Sequence, residues 1–261
     1  MMATVLDNLN TLPLEIKYVW GSRATIPTIL YYITRYGIYI DYIAQVYGNF
    51  YPSITTTECI YVCWIFTYLF NICIWTGEGL LGLRVWALYG KGQRLTVVLV
   101  AIFIGLTTTS LVFLASFVNS IKYAPSPAPE IITCLLIQAN GNIIQTVACA
   151  MAWVALMIML FMISAYRTYK SGGNSRFLRM IYREGLIYYV LTLTLHLGNL
   201  LAFYTAPLYI SPMLTNPTRL LHVAFTCRIL LNTRRQAGRT VIIMDGSTEE
   251  SWSEPSRPFA A

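Results

Sequence analysis

The chain has 261 residues, of which 56% are hydrophobic and only 11% are charged, and its formal net charge is +7. Soluble domains carry roughly 25% charged residues, so this composition excludes an ordinary soluble protein and predicts one that crosses a membrane several times. The positive charge does not indicate a nucleic-acid partner, because the lysines and arginines lie between the apolar segments rather than on one face.

Six apolar segments are long enough to cross a bilayer. We place these spans at residues 26–47, 59–83, 95–118, 142–165, 184–205 and 208–231. The last segment is the most irregular, because it contains Pro212 and Pro217, and Asn216 with Pro217 would start a shorter helix. We interpret it as a proline-kinked crossing. The predicted fold class is therefore an all-α transmembrane helix bundle.

The domain organisation follows from these segments. One bundle occupies residues 26–233, and an N-terminal segment of mixed composition precedes it at residues 1–25. The tail at residues 234–261 contains serine, glutamate and proline, and we expect it to be disordered. The first residues lack a basic stretch followed by an apolar one, so we expect no cleavable signal peptide.

The basic residues predict how the bundle is oriented. Fourteen of the 18 lysines and arginines flank the segment ends that would share one side of the membrane, whereas Lys122 lies on the other side, in the loop at residues 119–141. Because basic flanks stay in the cytoplasm, we expect the C-terminus to lie in the cytoplasm. We expect the bundle itself to lie in the plasma membrane or in another membrane of the secretory pathway. The basic stretch at residues 166–183 can also contact anionic lipid or a cytosolic partner, although the orientation signal already accounts for it.

Glu78 is the most unusual residue, since a carboxylate is costly inside a membrane-spanning segment. Depth along the predicted helices suggests an inner polar layer in which Glu78 pairs with Arg35, with His222 or Arg219 nearby. Such a layer is either a structural ion pair that fixes helix packing, which we favour, or a switch, a proton site or an ion site.

A second set of polar residues lies near the middle of the membrane: Asp41, His196 and Asn199. Asp41 and His196 lie at similar depth, so they can relay protons or bind a ligand together, or each can be satisfied separately, which we favour. The histidines and the intramembrane acids show no metal-ligand spacing, and we expect neither a metal nor another cofactor.

Two cysteines are candidates for a disulfide. Cys59 lies at the outer end of its span and Cys134 in the outer loop, and both would face the oxidising side of the membrane. Cys63, one turn deeper than Cys59, is the competing partner. The remaining alternative is that Cys59 and Cys134 are both free thiols.

Several short motifs occur in a recognisable order. They are Glu15-Ile16-Lys17-Tyr18-Val19-Trp20, Arg23 with Pro27, Arg35-Tyr36, Gly77-Glu78, Leu83-Arg84-Val85-Trp86-Ala87-Leu88-Tyr89, Arg219-Leu220-Leu221-His222 and Cys227-Arg228-Ile229-Leu230-Leu231-Asn232. Over roughly residues 11–235 the chain resembles a large fungal, chiefly basidiomycete, family of multi-pass membrane proteins whose function is unknown. That resemblance implies seven helices, the first of which would precede the motif at residues 15–20.

The resemblance sets the expectation for topology. Residues 11–14 look like the last turn of the family's first helix, so we expect a chain shortened at its N-terminus, with six spans and both termini inside. A seventh helix would place the N-terminus outside and the C-terminus inside, which is the threading of G-protein-coupled receptors. That parallel is an analogy of fold only.

The functional expectation is correspondingly general. The sequence contains no HExxH, GxSxG or GxxxxGK[ST] motif, so we expect no enzymatic activity. The threading and the candidate outer disulfide favour a receptor-like or sensory membrane protein. The alternatives are a small proton-coupled transporter that uses Glu78, Asp41 and His196, and a structural membrane component without a ligand.

Overall fold

The computed structural model describes residues 2–22, 25–50, 55–90, 92–125, 134–170, 176–205 and 217–235. Helix α1 spans Met2–Glu15 and continues as a π-helical segment at Ile16–Trp20. The next helices are α2 (Ile26–Phe50), α3 (Thr56–Leu88), α4 (Gln93–Ser120), α5 (Ile143–Lys170) and α6 (Arg176–Thr205), and a further helix, α7, spans residues 217–235. Strands β1 (Lys122–Pro125) and β2 (Cys134–Gln138) lie between α4 and α5.

Four of the described helices are long and apolar enough to cross a membrane. Their spans are Thr57–Leu88, Gln93–Ser120, Ile143–Lys170 and Gly185–Thr205, and each contains or closely matches one of four predicted segments. The predicted span at residues 26–47 and the described part of the predicted span at residues 208–231 are not long and apolar enough by the same measure, although α2 and α7 show that most of both segments is helical. Residues 208–216 lie outside the described part of the chain.

Residues 2–20 are helical throughout, whereas the sequence predicted only the last turn of a helix, at residues 11–14. At 1.5 Å per residue this stretch is about 28 Å long. Pro13 lies inside α1 and supplies no amide hydrogen, and the π-helical segment begins three residues after it. The expectation of a missing first helix was therefore wrong. With residues 2–20 counted as one helix, the described part of the chain contains seven.

Local sequence signals mark both ends of α3. The Thr55 side chain accepts a hydrogen bond from the Glu58 amide, and the Glu58 carboxylate accepts one from the Thr55 amide, which is a complete capping box. At the other end Gly90 has a φ of 66°, a conformation that glycine adopts at little cost and that commonly terminates helices. The glutamate that the sequence singled out therefore lies within one continuous 33-residue helix.

The predicted loop at residues 119–141 contains a small antiparallel hairpin that the sequence analysis missed. Strand β1 pairs with β2, with Tyr123 opposite Leu136 and Pro125 opposite Cys134, and β1 lies against α3. The Tyr123 hydroxyl and the Cys63 thiol share a hydrogen bond, and burial raises the pKa of the Tyr123 phenol above its ordinary value. The hairpin is thus attached to the α3 end that begins at residue 56.

The cysteines divide into two kinds. Cys59 is disulfide-bonded, whereas Cys63, Cys73, Cys149 and Cys227 are free thiols. The Cys134 backbone lies on β2, but its side chain is outside the described part of the structure. Cys63 is therefore excluded as the partner of Cys59, and pairing with Cys134 stays a prediction.

Two apolar clusters fill the interior, and α3 contributes to both. The aromatic cluster joins α3 to α4, α5 and α6 and also includes one residue of α7; its buried members are Trp75, Leu81, Val85, Leu99, Trp153, Met157, Phe161, Tyr189 and Ile229. The second cluster joins the π-helical segment to α2, α3 and α7; its buried members are Val19, Tyr31, Ile38, Leu80, Val223, Cys227 and Leu231. Helix α3 is therefore the central helix of the described bundle.

Contacts near the helix ends bring several predicted cytoplasmic segments together. Arg234, near the end of α7, donates hydrogen bonds to the Tyr18 carbonyl and to the hydroxyls of Ser22 and Thr28. The stretch predicted as a polar connection at residues 166–183 is shorter than expected, since α5 runs to Lys170 and α6 begins at Arg176. The tail beyond residue 235 lies outside the described residues.

Candidate functional site

Three titratable side chains from three helices meet in the interior. Glu78 of α3 lies between His196 of α6 and His222 of α7, and its Oε1 atom is 3.2 Å from His196 Nε2 and 3.0 Å from His222 Nε2. The two imidazole rings have centroids 5.7 Å apart and are tilted by 55°. We call Glu78, His196 and His222 the Glu–His cluster.

The Glu–His cluster is closed to solvent. Glu78, His196 and His222 are 0%, 4% and 1% exposed. Because a charged carboxylate without compensation is very costly in such surroundings, the two imidazoles are the groups that make Glu78 tolerable there. The sequence correctly predicted that Glu78 is an interior residue with His222 nearby, but it predicted Arg35 as the paired residue and did not predict His196.

The backbone of α3 is shaped to admit these neighbours. A Cβ atom on Gly77 would lie 2.8 Å from His222 Cε1, so the absence of a side chain there leaves room for the imidazole of α7. On the side facing α5, the Trp153 indole nitrogen donates to the Glu78 carbonyl over 3.2 Å. The glutamate is therefore held in place through both its backbone and its carboxylate.

Several buried polar atoms around the cluster lack a hydrogen-bond partner among the described residues. They are Glu78 Oε2, His222 Nδ1 and Thr226 Oγ1. Thr226 lies one helical turn beyond His222, and its hydroxyl also borders the space over Gly77, 3.5 Å from where a Cβ would be. Polar atoms that are this deeply buried are nearly always satisfied in native proteins, so the cluster has unused hydrogen-bonding or ligating capacity.

The chemistry of the cluster follows from its donor atoms. One ligand atom from each of the three side chains lies within 4.8 Å of the others, which gives two imidazole nitrogens and one carboxylate oxygen. This set can share protons along its hydrogen bonds or hold a divalent metal ion. The expectation of no metal-ligand set rested on spacing within one helix, and spacing cannot reveal ligands that come from three different helices.

Arg35 does not pair with Glu78, and that prediction was wrong. Its Nη2 atom lies 2.8 Å from Glu15 Oε2 and also donates to Thr11 Oγ1 and the Asn8 carbonyl, all of which belong to α1. Glu15 in turn accepts a hydrogen bond from the Tyr36 hydroxyl. Glu15 was not predicted as the partner of Arg35, because residues 2–15 were not expected to form a helix.

Asp41 and His196 do not form a pair either. Arg219 Nη1 donates to Asp41 Oδ2 over 2.6 Å, and both side chains are buried. The Arg219 guanidinium also lies 3.9 Å from the ring centroid of Phe70. The favoured reading, in which Asp41 and His196 are satisfied separately, agrees with these contacts. Arg219, in contrast, belongs with Asp41 and not with Glu78.

Asn199 is the remaining predicted polar residue. It is buried on α6, three residues beyond His196. Among the described residues, buried charge is concentrated in three places: Glu15 with Arg35, the Glu–His cluster, and Asp41 with Arg219. Each of them joins at least two different helices.

Comparison with known proteins gives a partial match. Residues 2–40 match the model of a family of unknown function, DUF6533. The matched range covers α1, the π-helical segment and the first part of α2, and it includes both Glu15 and Arg35. The search of curated proteins finds no match to the chain. The Glu–His cluster lies outside the matched range, so its interpretation rests on its own geometry.

Proposed function

We propose that the chain is a seven-helix membrane protein of receptor-like, sensory type, with its N-terminus outside the cell and its C-terminus in the cytoplasm. In this proposal residues 2–20, α2 and α7 cross the membrane together with the four apolar helices. The helix at residues 2–20 is about 28 Å long, close to the roughly 30 Å of a bilayer core. Its Glu15 and the Arg35 of α2 compensate each other, which makes two polar helices tolerable in lipid.

The observation that carries the proposal is the junction of α3, α6 and α7 at the Glu–His cluster. One carboxylate oxygen contacts an imidazole from each of two other helices, so a single polar contact point links all three helices. Switching proteins commonly contain such a point, because a small local change there favours one of two helix packings over the other.

The burial of the cluster supports a sensory role over an enzymatic one. Side chains that are between 0% and 4% exposed cannot receive an organic substrate without a large opening of the bundle. An ion can still reach these side chains, and a shift of the outer helix ends can move them. The predicted basic ends of the helices would then present the change to a cytosolic partner or to anionic lipid.

Distance measurements between the inner helix ends test the switch. A keto amino acid would be incorporated in place of Ala87 of α3 and Arg235 of α7, and a spin label would be attached to each. A second labelled pair, at Ala87 and Lys170 of α5, would serve as the control. We expect Glu78→Gln to shift the α3–α7 distance distribution by about 1–5 Å and to leave the α3–α5 distribution unchanged. Gly77→Ala, which displaces His222, provides a second variant if Glu78→Gln does not fold.

An unchanged α3–α7 distribution in both variants would contradict the sensory proposal. The cluster would then be a packing element, and the chain would be better described as a structural membrane component.

A proton-coupled carrier is the second candidate, and one observation favours it. A small cavity lies beside the Asp41–Arg219 pair, between α2, α3 and α7, and Asp41 Oδ1 and Arg219 Nε have no partner among the described residues. Proton uptake by vesicles that contain the purified protein, followed with an internal pH dye, would support this candidate if Asp41→Asn abolished it. Equal uptake by protein-free vesicles would exclude it.

A further inference from the structure

We infer that the Glu–His cluster is a binding site for a divalent transition-metal ion, and that the ion is Zn²⁺. The inference deepens the proposed function, because it names the ligand of the same junction. The three ligands would be Glu78 from α3, His196 from α6 and His222 from α7.

The distances agree with a shared metal ion. Zinc is bound by imidazole nitrogen and carboxylate oxygen at about 2.0–2.2 Å, so two ligand atoms in a tetrahedral site lie about 3.4 Å apart. The observed separations of Glu78 Oε1 from the two Nε2 atoms are 3.2 and 3.0 Å. All three ligand atoms lie within 4.8 Å of one another, so the two imidazole nitrogens would approach each other by at most about 1.4 Å when the three side chains share one ion.

The orientation of the side chains agrees as well. Both histidines present the same ring atom, Nε2, to the same carboxylate oxygen. Hydrogen bonding alone needs only one imidazole to neutralise one carboxylate, and it leaves Glu78 Oε2 without a partner. A zinc ion uses both imidazoles in the same role, and the second carboxylate oxygen then has a cation beside it.

Atoms that would form the outer shell are also present. A histidine that binds a metal through Nε2 almost always donates its Nδ1–H to a nearby oxygen. His222 Nδ1 and the Thr226 hydroxyl are both buried without partners among the described residues, and both lie 3.5 Å from the position of a Cβ on Gly77. Metal binding would fix the proton on Nδ1, and the Thr226 hydroxyl, one turn away on the same helix, is a candidate acceptor for it once the imidazole has moved onto the ion.

The donor set selects the class of metal. Two imidazoles and one carboxylate suit zinc and its first-row neighbours, whereas Mg²⁺ and Ca²⁺ prefer sites built from oxygen alone. Three protein ligands leave a fourth tetrahedral position, as in zinc sites that also bind water or another small ligand.

Zinc binding by the purified full-length protein tests the inference. After removal of bound metal with a chelator, the protein in detergent would be titrated with Zn²⁺, and the bound metal measured by mass spectrometry. We expect about one zinc ion per chain. Glu78→Gln, His196→Gln and His222→Gln should each weaken binding by about 100-fold or more, beyond the roughly 10–100-fold typical of an outer-shell change. Thr226→Ala should fall within that smaller range.

Cys227→Ala is the matched control. Cys227 is a buried, free thiol on α7, five residues beyond His222, and its loss should leave zinc binding unchanged. The control also shows that the thiol is not the ligand. A second measurement on the wild-type protein does not depend on the folding of any variant. Co²⁺ bound in place of Zn²⁺ should give the intense visible absorption of a tetrahedral site, and excess Zn²⁺ should abolish that absorption.

Two results would overturn the inference: wild-type protein that binds no zinc above the level of a detergent blank, or binding that survives all three ligand substitutions. These results differ from failure of the proposed function. A switch in the α3–α7 distance without zinc binding would reject the metal and keep the sensory role. Zinc binding with no distance change in any state would keep the metal as a structural ion and reject that role.

Discussion

The two sides of the bundle are stabilised by different interactions. On one side, α4 and α5 pack on α3 through aromatic rings, with Trp75, Phe103 and Trp153 in successive edge contacts at 5.5 and 4.9 Å. On the other side, α1, α2 and α7 are joined by buried ion pairs, Glu15 with Arg35 and Asp41 with Arg219. We call these the aromatic side and the polar side.

The difference explains which helices can be recognised as membrane spans. Helices α4 and α5 are apolar around most of their surface, so they qualify by composition alone. Helices α2 and α7 carry charged residues that compensate each other only when the helices pack together. The composition of either helix alone is therefore too polar for it to be recognised as a membrane span. The Glu–His cluster joins the two sides, because Glu78 and His196 belong to apolar helices and His222 to a polar one.

The largest effect is expected on the polar side, at Arg35. Replacing it with alanine leaves the Glu15 carboxylate buried without its cation, and such a change typically costs 3–5 kcal/mol, so we expect about 4 kcal/mol. Reversible unfolding in micelles measures it. The double variant Glu15→Met with Arg35→Met should recover most of the loss, because a buried pair replaced by apolar side chains is often neutral. A single-variant cost below about 1 kcal/mol would mean that the pair does not hold α1.

The next effect is expected at the end of α3 that contacts the hairpin. Cys59→Ser removes the disulfide and should lower stability by about 2–4 kcal/mol. Cys149→Ser, at a half-buried free thiol of α5, is the control and should change it little. Peptide mapping without a reductant identifies the partner directly, and we expect the peptide that contains Cys134. Any other linked peptide would refute that pairing.

On the aromatic side, glycine substitutions measure how closely the helices pack. A Cβ on Gly82 would lie 2.7 Å from Trp153 Cζ2, so Gly82→Ala should cost about 1–3 kcal/mol through overpacking. A Cβ on Gly105 of α4 would meet no neighbouring atom within 4 Å, so Gly105→Ala should change stability by less than about 0.5 kcal/mol. Equal effects of the two substitutions would show that α3 and α5 are not in close contact at Gly82.

The smallest effect is expected for an exposed ion pair on the polar side. Arg228 is paired with Asp7, but its side chain is 50% exposed at the bundle surface, so its charge is less completely buried than those of Glu15 and Arg35. In micelles, Arg228→Ala should cost no more than about 1 kcal/mol. A loss as large as that of Arg35→Ala would show that exposure does not separate the two pairs.

The sequence predicted burial better than it predicted contacts. Arg35, Asp41, Glu78, Arg219 and His222 were all expected inside the bundle, and all are buried. That prediction follows from the cost of placing charge in lipid, which applies to each residue by itself. Depth along the helices correctly placed His222 near Glu78, but the pairing of Glu78 with Arg35 was wrong, because depth does not define which helices are neighbours or which faces they share.

The sequence also could not establish the first helix or the hairpin. Residues 2–20 contain Pro13 and several polar side chains, and the helix is held in part by Arg228 and Arg234, which lie more than 200 positions later. The outer loop is rich in proline, yet it contains a hairpin in which Pro125 ends β1 opposite Cys134 of β2. In both cases tertiary contacts outweigh a local signal.

The contacts of α7 determine when three acidic residues can find their partners as the chain is made. Asp7, Asp41 and Glu78 are made early, and each has a partner on α7: Arg228, Arg219 and His222. Until the ribosome reaches α7, Asp7 and Asp41 lack these basic partners, and Glu78 has at most His196. The acidic residues of the earlier helices are therefore in the chain before their basic partners, and α7 completes the pairing.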